Sequence, residues 1–200
     1  MIDKSIPYFN IIMRYDGPLI KKCPTIPNGF SLSPFIPGDE HGWAQMEVDN
    51  NDFDTYENAV SYFSSKYLSE PIKLQERFIG VRDNFGKLVG CVICWDDFKD
   101  KRYVASVHWL VTDPKVQGNG IGTFLMKTLL YRFSKMNMIP IYLHTQPWSF
   151  FAIGIYSRLG FRMLKEDTFR DYSNQCEQAL PILKELMEKN KYDKLVSEII

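Results

Sequence analysis

The sequence has no long apolar run, little cysteine and no net charge, and each absence excludes a class of protein. Its longest uninterrupted apolar stretch is the eight residues LVGCVICW, far short of the ~20 that a membrane-spanning helix needs. The N-terminal residues lack a basic segment followed by an apolar one, so no secretory signal is expected. Four cysteines in 200 residues do not make a disulfide framework and fit a reducing compartment. We therefore expect a cytoplasmic protein without membrane association.

Two cysteines, Cys91 and Cys94, have the spacing of metal ligands, and both fall in the strand-like run KLVGCVICW. Residues three apart on a strand point to opposite faces of the sheet, so these thiols do not converge on one ion. We expect two buried apolar cysteines and no metal site.

The 24 basic and 24 acidic residues balance, which gives no case for a general nucleic-acid-binding surface. Their distribution is uneven. Residues 38–58 contain no Lys or Arg and seven acids: Asp39, Glu40, Glu47, Asp49, Asp52, Asp54 and Glu57. Residues 101–140 contain one acid, Asp113, and six bases, a local net charge of six minus one, or +5: Lys101, Arg102, Lys115, Lys127, Arg132 and Lys135. Solvated helix faces commonly produce such runs.

The pattern along the chain predicts a mixed α/β sheet in one domain, since a second domain would leave too little chain for the first. Residues 1–29 predict an N-terminal extension, a strand and a proline-rich connection, before a domain over residues 30–200. Strands are expected in YFNIIMRY, GFSLSPF, RFIGVR, KLVGCVICW, YVASVHWLVT, IPIYLHT and FRMLK. Helices are expected in GDEHGWAQMEV, in DTYENAVSYFSSKYL with Asp54 and Glu57 as a capping box, from Ile121 to Met136, in SFFAIGIYSRLG, and over about 177–189 with Pro181 in the first turn.

Three alternating glycines stand in VQGNGIG, residues 116–122, directly before a helical pattern. Glycine is costly inside a helix, so this cluster indicates that the backbone itself is used. A strand that runs into glycines and then a helix exposes N–H groups that bind anions, phosphate above all. The spacing fits neither the P-loop nor the Gly-x-Gly-x-x-Gly dinucleotide fingerprint.

The spacing does match Gln-x-x-Gly-x-Gly, at Gln117, Gly120 and Gly122. With this motif the chain resembles the GNAT superfamily of acetyl-CoA-dependent N-acetyltransferases. A second block, AIGIYSRLGF from Ala152 to Phe161, resembles the Ala, Tyr, Leu-Gly-Phe segment of that superfamily. The two blocks stand in the expected order, separated by one helix and one strand. The resemblance covers roughly residues 77–164 well, and residues 1–76 only in the order of elements.

The resemblance implies a mostly antiparallel central sheet flanked by helices, and acetyl-CoA as cofactor. The coenzyme A pyrophosphate would lie against the glycine loop, where the local positive charge attracts a polyanion. The strand over 104–111 would splay from the strand over 139–145, with the pantetheine arm between them and backbone groups near 110–112 polarising the thioester. Ser149 stands where many relatives have Asn. The implied cofactor-binding residues are Leu110, Val111, Thr112, Gln117, Gly118, Asn119, Gly120, Ile121, Gly122, Ser149, Ala152 and Tyr156.

Tyr156 falls where the superfamily pattern has the tyrosine that protonates the departing thiolate, so it is the candidate general acid. A buried structural tyrosine is the alternative. The acceptor amine must also lose a proton, and His108 is the only neutral-pH base in YVASVHWLVT, with a packed core histidine as the alternative. The other candidates for a base are Glu47, Asp96 and Asp97, with less support for His144 and His41.

The expected reaction is direct attack of a primary amine on acetyl-CoA, in a monomer or homodimer. In GNAT folds the segment between the first two helices borders the acceptor site, which would place the seven uncompensated acids there. A cationic small-molecule amine is therefore expected, with substrate-binding residues Glu47, Asp96 and Asp97; solvated helix faces are the competing interpretation of the acids. A protein acetyltransferase acting on lysine or an N-terminus stays open, and a non-catalytic acyl-CoA-binding module is disfavoured by Tyr156.

Overall fold

A seven-stranded mixed sheet organises the computed structural model, which describes residues 3–200. The strands are β1 (Ile11–Tyr15), β2 (Ser31–Ser33), β3 (Phe78–Arg82), β4 (Leu88–Lys99), β5 (Arg102–Thr112), β6 (Ile141–Thr145) and β7 (Arg162–Met163). Their order in the sheet is β2-β3-β4-β5-β6-β1-β7. The pairs β2–β3, β3–β4, β1–β6 and β1–β7 are antiparallel, whereas β5 and β6 are parallel. The predicted mixed, mostly antiparallel sheet is confirmed.

Seven α-helices occur within residues 3–200: α1 (Asp39–Asp49), α2 (Tyr56–Phe63), α3 (Pro71–Arg77), α4 (Ile121–Lys135), α5 (Phe150–Arg158), α6 (Cys176–Leu186) and α7 (Lys189–Ser197). A π-helical turn over Ser64–Leu68 follows α2. The sequence patterns missed α3 and α7, because seven to nine residues give too few turns for a clear apolar period. No helix in the described part of the chain is long and apolar enough to cross a membrane.

Two predicted helix details are wrong. The cap of α2 is Thr55, whose hydroxyl accepts the Asn58 N–H at 3.2 Å, so the helix begins one residue later than the Asp54 and Glu57 capping box requires. Pro181 lies in the second turn of α6, since that helix begins at Cys176. A proline there has no N–H for a helical bond.

The N-terminal strand β1 is an internal member of the sheet. It pairs along its whole length with β6, from Ile11 opposite Thr145 to Tyr15 opposite Ile141, and Met13 and Arg14 also pair with β7. The backbone groups of β1 are therefore satisfied on both sides. The outer side of the two-residue β7 is covered by the C-terminal residue, since Ile200 N donates to Met163 O at 3.0 Å and Lys165 N donates to Ile200 O at 2.8 Å. The predicted boundary between residues 29 and 30 stays a prediction.

Strand β4 explains the apolar run in the sequence, because all residues from Leu88 to Trp95 are buried. A strand covered on both faces reads as a continuous apolar stretch. Cys91 and Cys94 are free thiols within it, and burial raises the pKa of Cys91 well above its usual range and that of Cys94 to about 12. Among the described residues no three His, Cys, Asp or Glu side chains are grouped to hold a metal ion.

The chain forms two compact units, each assembled from segments that are separate in sequence. The first contains Lys21–Cys94 and His108–Arg132, and its fully buried side chains include Trp43, Phe63, Tyr67, Leu74 and Phe78. The second contains Asp3–Ile20, Trp95–Val107 and Phe133–Ile200. Its core includes a cluster of Ile12, Val104, Tyr142, Leu164 and Phe169 with Tyr172 packed against it.

Candidate active site

The glycine loop of the first unit follows β5 through one turn of 3₁₀ helix, Pro114–Val116. Asp113 caps this turn: its carboxylate accepts the Lys115 N–H at 2.9 Å and the Lys87 ammonium at 2.7 Å. Burial acts to raise the pKa of Asp113, but the bonds from Lys87 and Lys115 outweigh it and lower the pKa below its usual value. The start of the loop is therefore fixed by an ionised carboxylate.

Residues 118–123 present a row of backbone N–H groups at the N-terminus of α4. Gly118 and Gly120 have φ of +85° and +78°, and a Cβ at either would meet nothing within 4 Å. Within residues 3–200 no acceptor takes a hydrogen bond from these N–H groups, and the first bond into α4 runs from Phe124 N to Gly120 O. An open backbone at the positive end of a helix dipole binds anions.

Asn50 braces this loop from the end of α1, a role that sequence reasoning missed. Its side-chain amide donates to the carbonyl of Thr112 at 3.0 Å, and its Oδ1 accepts from Gln117 Nε2 at 3.0 Å. The Nε2 group of Gln117 is thus used to hold the loop. Asn119 Nδ2 closes the loop from inside by donating to the Val116 carbonyl at 3.0 Å.

The parallel ladder between β5 and β6 is short. Within the described residues, Ala105 pairs with Ile141 and Ser106 with Tyr142, and β5 continues to Thr112. Three residues beyond the ladder, Trp109 has φ of +50°, which is rare for a bulky residue and interrupts the regular strand. The expectation that the strand over 104–111 splays from the strand over 139–145 stays a prediction.

The second unit carries the predicted residues of α5. Tyr156 is buried, with 7% of its surface exposed, and its ring lies 6.0 Å from that of Phe161. Ser149 occupies the cap position of α5 without a capping hydrogen bond and its hydroxyl accepts from Gln146 Nε2 at 3.3 Å. Ala152 is half-buried.

The three histidines have different environments. His108, in β5, is buried, and its Nδ1 is hydrogen-bonded to the hydroxyl of Tyr67 at 2.7 Å. His144 donates from Nε2 to Asn10 Oδ1 at 2.7 Å and stacks on Tyr172 at 4.0 Å. Burial, with a smaller contribution from the Arg170 charge, lowers the pKa of His144 to about 4, which makes it a weak base for an amine. His41 is exposed on α1.

The acidic stretch is less negative than its sequence predicts, which corrects the expectation of seven uncompensated acids. Asp39 is buried and accepts two hydrogen bonds from Arg82 Nη2, at 2.8 and 2.7 Å. Glu47 is 1% exposed; burial, and then the neighbouring Asp52 carboxylate, raises its pKa well above the usual value. The Arg82 guanidinium thus compensates the charge of Asp39, and burial favours the uncharged form of Glu47.

Asp96 and Asp97, the other acids of the predicted set, lie in the part of β4 that belongs to the second unit. Asp97 is buried and lies 3.5 Å from the Arg170 guanidinium. That ion pair already gives Asp97 a structural partner, so direct binding of a substrate by it stays a prediction.

Four aromatic side chains of the first unit form a cluster that sequence reasoning did not assemble. We call it the aromatic box: Trp43, Phe53, Tyr62 and Trp109. Their ring centroids lie 5.3–6.2 Å apart, and Trp109 Nε1 donates to Tyr62 Oη at 3.3 Å. No pattern in the sequence predicts this cluster, since the four residues come from α1, the turn after it, α2 and β5.

Comparison with known families identifies the family of this chain. The sequence profile of the acetyltransferase (GNAT) family matches residues 43–161, more than half of the chain. The chain belongs to the GNAT acetyltransferase family. The matched segment contains the glycine loop, Asn50, the aromatic box and Tyr156.

Individual relatives include one protein similar in sequence and two solved structures similar in fold. An N-acetyltransferase of Methanocaldococcus jannaschii, described as uncharacterized, is 32% identical over 112 residues, which are 54% of this chain and 50% of that protein. A GCN5-related N-acetyltransferase from Sphaerobacter thermophilus has a TM-score of 0.57 at 18% identity, over 78% of this chain and 49% of that one. A structure described as a predicted acetyltransferase with acetyl-CoA, from Clostridium acetobutylicum, has a TM-score of 0.51 at 15% identity, over 72% of this chain and 93% of that one. The chain thus spans about half the length of the first two relatives.

Proposed function

We propose that this protein transfers an acetyl group from acetyl-CoA to a primary amine, and that the acceptor is a cationic small molecule. The observation that carries the proposal is the row of backbone N–H groups at residues 118–123, which have no acceptor within residues 3–200. A pyrophosphate supplies oxygens for several such donors at once. Membership of an acetyltransferase family then selects coenzyme A among pyrophosphate ligands.

The residues of the loop fit coenzyme A. Gly118 and Gly120 leave open the space that a Cβ would fill, so the phosphate can reach the backbone. Lys115 is exposed beside the loop and adds positive charge. Downstream of Trp109, the backbone of residues 110–112 is proposed to hold the pantetheine arm and to donate to the thioester carbonyl oxygen, where negative charge develops.

Two side chains are proposed to move protons. When bound, acetyl-CoA supplies an acetyl group activated as a thioester. His108 accepts the proton of the acceptor amine at Nε2, while its Nδ1–H donates to Tyr67 Oη across the observed 2.7 Å bond. Tyr156 is proposed to donate its phenolic proton to the departing sulfur.

The cationic acceptor is supported by the acids that remain solvent-accessible. Asp49, Asp54 and Glu57 are exposed and Asp52 is partly exposed, and no Lys or Arg occurs between Lys22 and Lys66. A surface of this charge concentrates cations and repels anionic acceptors.

The experiment is a melting curve with and without acetyl-CoA, followed by thiol release measured across cationic, neutral and anionic amines. We expect a higher Tm with acetyl-CoA, the highest kcat/KM with cationic amines, and a fall of that kcat/KM with salt, since the Debye length shrinks to about 3 Å at 1 M. Absence of a Tm shift contradicts coenzyme A binding. Thiol release that is equal for all amines and flat with ionic strength contradicts the cationic acceptor alone.

A further inference from the structure

The side chain of Asn50 connects the end of α1 to both ends of the turn that precedes the glycine loop. Its Nδ2 donates to the carbonyl of Thr112 at 3.0 Å, and its Oδ1 accepts from Gln117 Nε2 at 3.0 Å. The 3₁₀ turn over Pro114–Val116 lies between these two residues. One amide group therefore closes the segment 112–117, directly before the first glycine of the loop.

Asn50 is itself held at the end of α1. Its backbone N–H and its Nδ2 both donate to the carbonyl of Met46, at 3.0 and 2.8 Å, and the residue is 8% exposed. The helix is fixed in turn by Trp43 and Ala44, which are completely buried. The amide thus links an exposed loop to a helix that is packed in the core.

The glycines do not hold the loop conformation by themselves. Gly118 and Gly120 are exposed and have φ of +85° and +78°, values that glycine adopts about as readily as negative ones. The bond from Asn119 Nδ2 to the Val116 carbonyl lies within the loop and does not connect it to another element. An anion that binds a loose loop must order its backbone, and that ordering lowers affinity.

Asp113 fixes only the first part of the segment. Its carboxylate accepts the Lys115 N–H at 2.9 Å, which orders the backbone three residues before Gly118. Gln117 is adjacent to Gly118 in the chain, so its bond to Asn50 acts closer to the row of N–H groups. Asn50 is therefore the contact best placed to set where that row begins.

We propose that Asn50 is a positioning residue for the cofactor: acting through Thr112 and Gln117, it holds the glycine loop in its anion-binding conformation before acetyl-CoA binds. The proposal rests on the acetyl-CoA binding proposed above and adds the residue that prepares the site for it. In this role Asn50 does not contact the cofactor. Its removal is therefore expected to weaken cofactor binding and to leave the chemical step nearly unchanged.

Calorimetric titration with coenzyme A measures the effect on binding. Asn50→Ala removes both bonds to the segment and is expected to raise the Kd of coenzyme A roughly 10-fold, whereas Gln117→Ala removes one and should raise it about 3- to 10-fold. The double variant is expected to match Asn50→Ala, because Gln117 acts through Asn50. Losses that multiply in the double variant would show that the two residues act separately, and would overturn the proposal.

Asn174 offers a matched control in the second unit. Its Nδ2 also donates to two carbonyls, those of Leu164 and Asp167, both at 2.8 Å. Asn174→Ala is expected to lower the Tm, because it loses the same kind of bonds, and to keep the Kd of coenzyme A within about 2-fold. A 10-fold rise of Kd in this variant as well would mean that any loss of stability weakens binding, which contradicts a positioning role.

Steady-state kinetics separate positioning from general damage. Gln117→Ala changes an exposed side chain and is expected to raise the KM of acetyl-CoA about 3- to 10-fold while kcat stays within about 2-fold. S-acetylpantetheine carries the same thioester without the phosphates, so its KM should stay within about 2-fold. Equal rises of KM for the two donors would contradict an action through the phosphate site.

Inorganic pyrophosphate keeps the two proposals distinguishable. It is expected to raise the Tm of the wild type, and to raise that of Asn50→Ala less at equal concentration. If pyrophosphate and coenzyme A both bind in this pattern but no amine is acetylated, acetyl transfer is wrong and the positioning role stands. If the wild type and Asn50→Ala bind both ligands equally, or the wild type binds neither, the positioning role is wrong.

Discussion

The glycine loop and the aromatic box are built from different parts of the chain. The loop has open backbone N–H groups on the consecutive residues 118–123, and its two positive-φ glycines contribute by having no side chain. The box consists of rings from four positions spread between Trp43 and Trp109, which pack against one another. The open backbone of the loop tolerates almost no added atoms, whereas a cluster of separate side chains loses its packing one ring at a time.

The largest effect is expected for a substitution in the glycine loop. Gly120→Glu places a carboxylate where phosphate is proposed to bind, and should abolish the rise in Tm with acetyl-CoA. At 100 times Kd that rise corresponds to about 2.7 kcal/mol, or roughly 5–10 °C for a chain of this size. The measurement is a melting curve with and without acetyl-CoA.

Gly86→Glu is the matched control, because Gly86 has φ of +81° and a Cβ there also meets nothing within 4 Å. It introduces the same charge and backbone strain in the turn between β3 and β4. This variant should keep the full acetyl-CoA shift. Loss of the shift in both variants, or in neither, would rule out the loop as the phosphate site.

The next effect separates the binding of acetyl-CoA from the chemical step. Tyr156→Phe removes the proposed proton donor and should lower kcat roughly 10²-fold or more, with little change in the KM of acetyl-CoA. Steady-state kinetics measure this, with Tyr103→Phe as control, since that ring is 73% exposed. A Tyr156→Phe enzyme with wild-type kcat would make Tyr156 a purely structural core residue.

A pH-dependent effect follows at the histidine beside the box. His108→Gln should lower kcat/KM roughly 10²-fold at pH 7, because the amine then lacks its proposed base. The deficit should shrink to a few-fold near pH 10, where much of the amine is already neutral. His41→Gln serves as the control for an exposed histidine. A deficit that is constant with pH would contradict a proton-accepting role for His108.

The smallest effect concerns the contribution of Glu47 to the stability of the folded protein. The pKa of Glu47 is raised in the folded protein by burial and by Asp52, so the folded state holds this proton more tightly than the unfolded one. The contribution of that proton to the free energy of unfolding is fully present below the pKa of the unfolded state, ~4.3. That contribution is lost as the pH rises through the higher pKa of the folded state.

Glu47→Gln imitates the protonated carboxyl and should remove that loss. Its Tm should match the wild type near pH 4 and exceed it at pH 8, by roughly 2–4 °C for each ~1 kcal/mol recovered. Melting curves across that range measure the difference. A gap between the two proteins that stays the same at every pH would contradict the raised pKa as its cause.

Sequence patterns predicted the loop well because its signal is local. A run of alternating glycines between a strand and a helix restricts φ and exposes N–H groups whatever lies elsewhere in the chain. For the same reason the helix α4 was predicted at nearly its observed position, whereas β4 continues past the predicted run KLVGCVICW to Lys99. Short elements such as α3 and α7 lacked enough residues for a period, and the cap of α2 was misplaced because Thr55 and Asp54 are both good capping residues.

The acidic residues over 38–58 show where prediction from local sequence fails. In sequence, Asp39 and Glu47 are indistinguishable from the exposed Asp49, yet Arg82 pairs with the first and burial raises the pKa of the second. The net charge of this segment therefore has to be judged from the folded structure, because ion pairing and desolvation both depend on residues far along the chain.

The sequence by itself determined the α/β class, the glycine loop and the family resemblance, because each depends on the order and spacing of neighbouring residues. Only the tertiary structure decided that Asn50 braces the loop, that Tyr67 faces His108, and that four rings meet at Trp109. Those arrangements arise from contacts between segments tens of residues apart, and the packing of the core, rather than any local preference, selects which side chains meet.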